Sequence, residues 1–393
     1  MKKTWINISD VLFFQEGPGV RNTQYTTEGV KLLNVANLVD GKVDLSTSDR
    51  YISEDEAYGK YKHFLCDAGD FIIASSGIKV EYIDKKMGFI DESMLPLCMN
   101  TSTIRFKVLD DNQLRIRYFM YYLKSQHFKN QLFKQITGSA QLNYGPSHLK
   151  KMIVPLINLG KQDEIIACMD KVQSIIERRQ QELVKLDTLI KARFVEMFGN
   201  PIQNPKGWDM PLIEEVVANE KNAIKAGPFG SALKKEYYVA FGYKIYGQEQ
   251  VISGDCTFGD YYIDEERYKS LENCAVQAGD VLISLVGTYG KLLIMPEVFE
   301  PGIINPRLMK ITFDKEKVDP YYFKFFFQSE SLKRELSENT HGGTMDILNL
   351  GIVRKIAMPL PPLKLQNEFA DFVKQVDKSK VVMLKILSSI IYL

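Results

Sequence analysis

Lys151-Met152-Ile153-Val154-Pro155-Leu156, followed by Gln162-Asp163-Glu164-Ile165, returns as Lys355-Ile356-Ala357-Met358-Pro359-Leu360, followed by Gln366-Asn367-Glu368-Phe369. Both pieces repeat at an offset of 204 residues, from 151 to 355 and from 162 to 366. Upstream, Arg117-Tyr118-Phe119-Met120-Tyr121-Tyr122 matches Tyr321-Tyr322-Phe323-Lys324-Phe325-Phe326 at the same offset, and Thr137-Gly138-Ser139 aligns with His341-Gly342-Gly343. Ala68-Gly69-Asp70-Phe71-Ile72-Ile73 matches Ala278-Gly279-Asp280-Val281-Leu282-Ile283 at a slightly larger offset, as a change in loop length produces. An internal repeat of this size is read before any single motif, because it fixes the domain plan. The chain is two similar halves, each a globular segment followed by a helix.

Outward from the repeat, the helical segments carry a heptad seam. From Ile165, steps of four and three reach Met169, Val172, Ile176, Leu183, Leu186, Ile190 and Met197, interrupted by Arg179 and Arg193. In the second half the series is Phe369, Val373, Val376, Met383, Leu387 and Ile390, with Lys380 opposite the apolar Ile176 position. An apolar stripe at a 3.5-residue period needs a partner surface. It packs either on its own globular domain or on the other stripe, and two seams in one chain favour mutual pairing. A helix from Gln162 to Phe198 is roughly 55 Å long at 1.5 Å per residue, enough to hold two domains apart. Gly199-Asn200-Pro201 stops it.

The globular halves contain short apolar runs bounded by turns, such as Asp70 to Ala74, Thr103 to Val108, Asp280 to Ser284 and Arg307 to Thr312, which read as strands. Tyr118 to Phe133 and Pro320 to Leu336 read as aromatic-rich amphipathic helices whose rings belong to the core. The fold class is therefore α+β. The domain limits are 1–158 for the first globular domain, 159–199 for a central helix, 200–362 for the second domain and 363–393 for a last helix.

Composition excludes several function classes. The chain has 393 residues, 45% hydrophobic and 25% charged, the profile of an ordered protein with two or three domains. No apolar run at the N-terminus or elsewhere is long enough for a signal segment or a membrane span, so a cytoplasmic protein is expected. Cys66, Cys98, Cys168, Cys256 and Cys274 lack CxxC spacing and the four histidines form no HxxxH pair, so no metal is expected. A net charge of +1 argues against coating DNA by bulk charge. No Asn/Asp-Pro-Pro-Tyr/Phe, Pro-Asp-led nuclease or GxxxxGK[ST] phosphate-loop motif occurs, so no catalytic residue is assigned.

Gly138-Ser139-Ala140-Gln141-Leu142-Asn143, the Leu149 to Leu156 run, the heptad helix closing in Ala192-Arg193-Phe194-Val195-Glu196-Met197-Phe198-Gly199-Asn200-Pro201, and Asn204-Pro205-Lys206-Gly207-Trp208 together resemble type I restriction-modification specificity subunits. Met358 to Phe369 resembles that family's entry into its second helix. Two departures stand out: Ile157-Asn158 replaces a second proline pair, and the counterpart of Phe198 falls at position 402, past Leu393. The resemblance implies two target-recognition domains, each reading one part of an interrupted duplex DNA site, separated by two long antiparallel helices forming a coiled coil. It also implies methyltransferase subunits, two in number, that methylate adenine with S-adenosylmethionine, and a restriction/motor subunit using ATP; neither cofactor belongs to this chain.

Candidate DNA contacts are sought where glycine turns bring the backbone close to phosphate beside side chains that read base edges. In the first half these are Arg21 and Asn22, Ser76 and Lys79, and Ser139, Gln141, Asn143 and Tyr144. In the second they are Ser231, Lys234 and Lys235, Thr288, Tyr289 and Lys291, Arg307, and Thr344. For any one loop the competing reading is an ordinary turn with a solvated charge. For the whole chain it is a non-DNA adaptor, two ligand-binding modules on a coiled-coil spacer.

Overall fold

The computed structural model describes residues 4–136, 143–285, 290–338 and 348–391. It divides into two units, Met1–Ile175 and Ile176–Leu393. The first unit has a four-stranded antiparallel sheet in the order Leu12–Glu16, Thr103–Val108, Phe71–Ala74, Met87–Phe89. A three-stranded sheet runs Tyr51–Ile52, Val30–Leu33, Leu97–Met99, the last pair parallel. Thr4–Asn7 pairs with Ile153–Leu156.

The second unit repeats this plan: Ile224–Ala226, Leu308–Ile311, Val281–Ser284, Leu292–Ile294 in one sheet, and Tyr262–Ile263, Tyr243–Tyr246, Gly302–Ile304 in the other, again with one parallel pair. The strand after each Gly-Asp is apolar on both faces because it is buried on both. Phe71 and Ile73 face one core while Ile72 and Ala74 face another, and Val281 and Ile283 are divided from Leu282 in the same way. Gly69 and Gly279, at φ +86° and +84°, make the turn that launches it.

The repeat extends to hydrogen bonds. Buried Gln162 accepts from the Arg115 N–H (2.8 Å) and donates to the Gln113 and Ile157 carbonyls (2.8 Å each). Buried Gln366 accepts from the Asp319 N–H (2.9 Å) and donates to the Lys317 (2.9 Å) and Pro361 (2.8 Å) carbonyls. Tyr118 and Tyr322 donate to the Pro155 and Pro359 carbonyls. Every partner is displaced by 204 residues. Glutamine is required because one side chain must accept once and donate twice.

Each expected aromatic-rich helix is in fact two: Ile116–Lys124 and Gln126–Gln135, then Pro320–Phe327 and Glu330–Glu338. The break has a local cause. The Ser125 hydroxyl oxygen accepts from the Phe128 N–H and that of Ser329 from the Leu332 N–H, each at 3.3 Å, the bond of a serine starting a new helix. Phe119, Phe128, Phe323 and Phe326 are fully buried.

The long helix runs Leu159–Phe198 and closes on Gly199, at φ +81°. Its beginning packs on the first unit. Ile165 and Ile166 lie against that unit's core, and Asp170 receives Arg117 (2.7 Å) and the Tyr121 hydroxyl (2.5 Å). Ile165 thus packs on the first unit's core, and Met169 is 39% exposed. Val172 is half-buried.

Within the second unit the helix's end lies against the last helix, Leu363–Ile391. Ile190, Phe194, Met197 and Phe198 share one core with Phe369, Val373 and Val376, and Leu186 packs on its edge. Phe198 meets Phe369 at 5.5 Å between ring centroids, while Lys380 pairs with Asp187 at 2.5 Å. Since 198 opposes 369 and 187 opposes 380, these segments run antiparallel. Ile176, Leu183, Met383 and Ile390 are half-buried and Leu387 is buried.

Candidate nucleic-acid interface

Strand register decides which loops meet. Thr103 is opposite Ala74 and Ile104 is opposite Glu16, so the loops leaving those residues emerge at one end of the first unit's four-stranded sheet. Gly17 donates its N–H to the Thr103 carbonyl (2.9 Å), Ser75 to that of Ser102 (2.8 Å) and Tyr144 to that of Ser75 (3.0 Å). The Ser76 and Ser102 hydroxyls are 2.6 Å apart and Asn143 forms a β-bridge with Ser76. Ser75 donates its hydroxyl to Glu16 at 3.1 Å. Arg21, Asn22, Lys79 and Asn143 are exposed and Ser76 half-buried. The turn carrying Arg21 and Asn22 is tethered by Gln24, which donates to Glu56 (2.5 Å) and Tyr61 (3.1 Å).

The second unit builds the same end from the same strands. Ser284 is opposite Leu308 and Ala226 opposite Met309. Gly227 donates to the Leu308 carbonyl and Leu285 to that of Arg307, both at 2.9 Å. Arg307 reaches Gln248 (3.3 Å), whose amide donates to the Ser284 hydroxyl (2.8 Å), and the Ser284 N–H donates to the Lys291 carbonyl (3.1 Å). Arg307 and Lys291 thus flank one strand end. Ser231, Lys234 and Lys235 are exposed, the lysines on the turn Lys235–Tyr237, with Lys234 paired to Glu236 at 3.4 Å.

One candidate is corrected. Tyr144 is 2% exposed, sits in the first core and donates its hydroxyl to the Ala74 carbonyl at 2.9 Å; burial pushes its pKa well up. It fastens the loop to the strand instead of facing solvent. Ser139, Gln141, Thr288, Tyr289 and Thr344 lie outside the described residues. Two residues outside the candidate contacts named from the sequence, Gln248 and Ser284, join the second cluster. Ser284 ends the strand launched by Gly279-Asp280, which was a usable signal; Gln248 comes near it only through tertiary folding.

Beneath these loops the sheets carry buried charge. Arg105 donates to the Leu65, His63 and Gln15 oxygens, each at 2.7 Å, and pairs with Asp70 at 3.3 Å. Lys310 and Thr312 hold Asp280 at 3.1 and 2.5 Å, although burial still pushes that carboxyl above its usual range. Being enclosed, these charges brace the sheets and are not offered to a ligand. Among the described residues no three His, Cys, Asp or Glu side chains gather to hold a metal, and no helix is long and apolar enough to cross a membrane.

Two copies of one module, each presenting amides, hydroxyls and a guanidinium or ammonium group at the same end of the same sheet, define a recognition protein with a duplicated module. The family described as the type I restriction modification DNA specificity domain matches residues 23–186 and again 205–389, and the chain belongs to it. The type I restriction enzyme MjaVIII specificity subunit of Methanocaldococcus jannaschii is 21% identical over 80% of this chain and 74% of its own. The putative MjaX specificity subunit of the same organism is 23% identical over 89% of this chain and 80% of its own.

Among solved structures, the type I restriction-modification S subunit from M. genitalium aligns over all of this chain and 93% of its own with a TM-score of 0.52 and 16% identity. A chain from work on complex assembly and conformational transition of the type I R-M system gives a TM-score of 0.61 at 16% identity, over 99% of this chain and 94% of that one. These likenesses show the α+β fold. The chain is a type I specificity subunit whose function is recognition of a DNA target.

Proposed function

We propose that each unit's loop cluster reads one part of an interrupted duplex target, and that this chain selects the site while its partners do the chemistry. The duplication supports this: the four-stranded sheet of the first unit recurs in the second, so two equivalent strand ends are available for two sequence elements. Arg307, held by Gln248, is the best-placed base reader of the second unit, since a guanidinium can contact guanine with two hydrogen bonds. The family's helix arrangement makes Leu159–Phe198 and Leu363–Ile391 the spacer between recognition domains 1–158 and 200–362.

Catalysis, S-adenosylmethionine and ATP belong, on this reading, to two methyltransferase subunits and a restriction/motor subunit in the cytoplasm. Docking of the methyltransferases accounts for exposed apolar side chains on the helices: Val184, Leu189 and Val195 on one, Val381, Val382 and Leu384 on the other, each 48 to 66% exposed. Co-expression with the cognate methyltransferase subunit should yield a monodisperse complex, and the double change Val184→Glu, Val382→Glu should abolish it without altering the chain's circular dichroism. A complex that survives both charges would contradict this docking surface.

A further inference from the structure

Between the strand launched by Gly-Asp and its hairpin partner, the first unit has residues 75–86 where the second has only 285–291. The longer connection is an ordered insertion. It forms the helical turn Val80–Lys85, buries Ile83 completely and packs Ile78 and Val80 on the first core. Lys129 clamps it, donating to the Glu81 carbonyl (2.9 Å) and the Asp84 carboxylate (3.0 Å). With Asp84 so occupied, Lys79, Lys85 and Lys86 make no ion pair among the described residues.

These three lysines line one cleft of about 470 Å³ with Tyr82 and a single acid, Asp40. Tyr82 is 51% exposed, and the Lys85 ammonium lies 5.5 Å from its ring centre. The connection begins at Ser75 and Ser76 of the candidate interface, so the cleft is continuous in chain with a DNA-facing loop. In a chain with a net charge of only +1, three unspent ammonium groups on a rigid insertion are a local attraction for polyanion.

We infer that this cleft is a phosphate-backbone site: Lys79, Lys85 and Lys86 hold the DNA phosphodiester strand beside the first half-site, with Tyr82 against the sugar, whatever the sequence. The first unit then supplies a sequence-independent grip. This moves Lys79 from base reading to phosphate contact. The inference rests on the reading of the Ser75–Lys79 loop as DNA-facing.

The test measures the affinity of the full chain for a mixed-sequence duplex across a salt series, comparing Lys85→Ala, Lys86→Ala with the control pair Lys60→Ala, Lys62→Ala, which removes the same charge elsewhere on the unit. Removing one lysine-phosphate pairing should flatten the slope of log affinity against log salt by about 0.9. The double variant should flatten it by about 1.8, so that the affinity ratio between 50 and 200 mM salt contracts roughly tenfold. The control should leave the slope unchanged, and Lys85→Arg, Lys86→Arg should restore it. Genome methylation by the complex should keep the same target sequence. A slope unchanged from wild type, or an equal flattening in the control pair, would overturn the cleft while leaving DNA recognition intact. A variant that altered one base of the methylated target would show base reading instead. No binding by the wild-type chain would remove both the cleft and the reading on which it rests.

Discussion

Gly17 and Gly227 show what single residues contribute. A methyl group added to either would lie 2.0 Å from the Asn100 carbonyl oxygen or 1.9 Å from that of Asn305, far inside contact distance and against backbone. Only glycine lets the turns Gly17-Pro18-Gly19 and Gly227-Pro228-Phe229-Gly230 close on the asparagine loops. Gly227→Ala should cost about 1–3 kcal/mol in a denaturant titration and blur the second half-site in methylation maps, leaving the first intact. Tyr144→Phe is the contrasting case. Removing one buried hydroxyl bond to Ala74 should cost about 0.5–1.5 kcal/mol and leave the methylated sequence unchanged. The glycine turns were legible in the sequence because glycine announces a close approach. The burial of Tyr144 was not, since a tyrosine beside Asn143 suits a binding loop and a core equally well.

At the scale of elements, the heptad period located the helices and the repeat aligned them. What it could not divide was the seam itself. The same stripe packs on the first unit's core at Ile165 and on the last helix at Ile190, because an apolar stripe records that it is covered and not by what. Nor did periodicity reveal the breaks at Ser125 and Ser329: an aromatic stripe continues across them, and only the serine caps end one helix and start the next. Two neighbouring positions of the seam, one apolar and one charged, predict different responses. Ile190→Ala removes a side chain 1% exposed and should cost about 2–5 kcal/mol. Lys380→Met should change stability by less than about 1 kcal/mol, because the Asp187 partner is 64% exposed and solvent weakens the pair. Thermal and denaturant unfolding of the two variants side by side reads this difference.

For the whole molecule, the repeat made the two-module plan readable, while the recognition chemistry stayed mostly hidden. The 204-residue offset is carried by framework residues such as Gln162 and Gln366, each of which accepts one backbone hydrogen bond and donates two. The loops differ in length and composition between the halves, as surfaces serving different sequences would, so no repeat marks Gln248, Tyr82, Lys85 or Lys86. The proposed spacer role has its own consequence. One heptad inserted near Gln180 and one near Met383 keeps both seams in phase and lengthens the helices by roughly 10 Å. Methylated targets should then carry a spacer about three base pairs longer between unchanged half-sites, with partial loss of activity because the second half-site also rotates around the duplex.

The central claim is that each module reads its own part of the target, and the most direct measurement is genome-wide adenine-methylation mapping in cells carrying either the wild-type chain or Arg307→Ala. The wild type should give one interrupted motif that vanishes when the gene is removed. Arg307→Ala should relax a position in one half of that motif, by about 1–3 kcal/mol of discrimination, and leave the other half and the spacer unchanged. Equal degradation of both halves, or a motif with no interruption, would contradict the account.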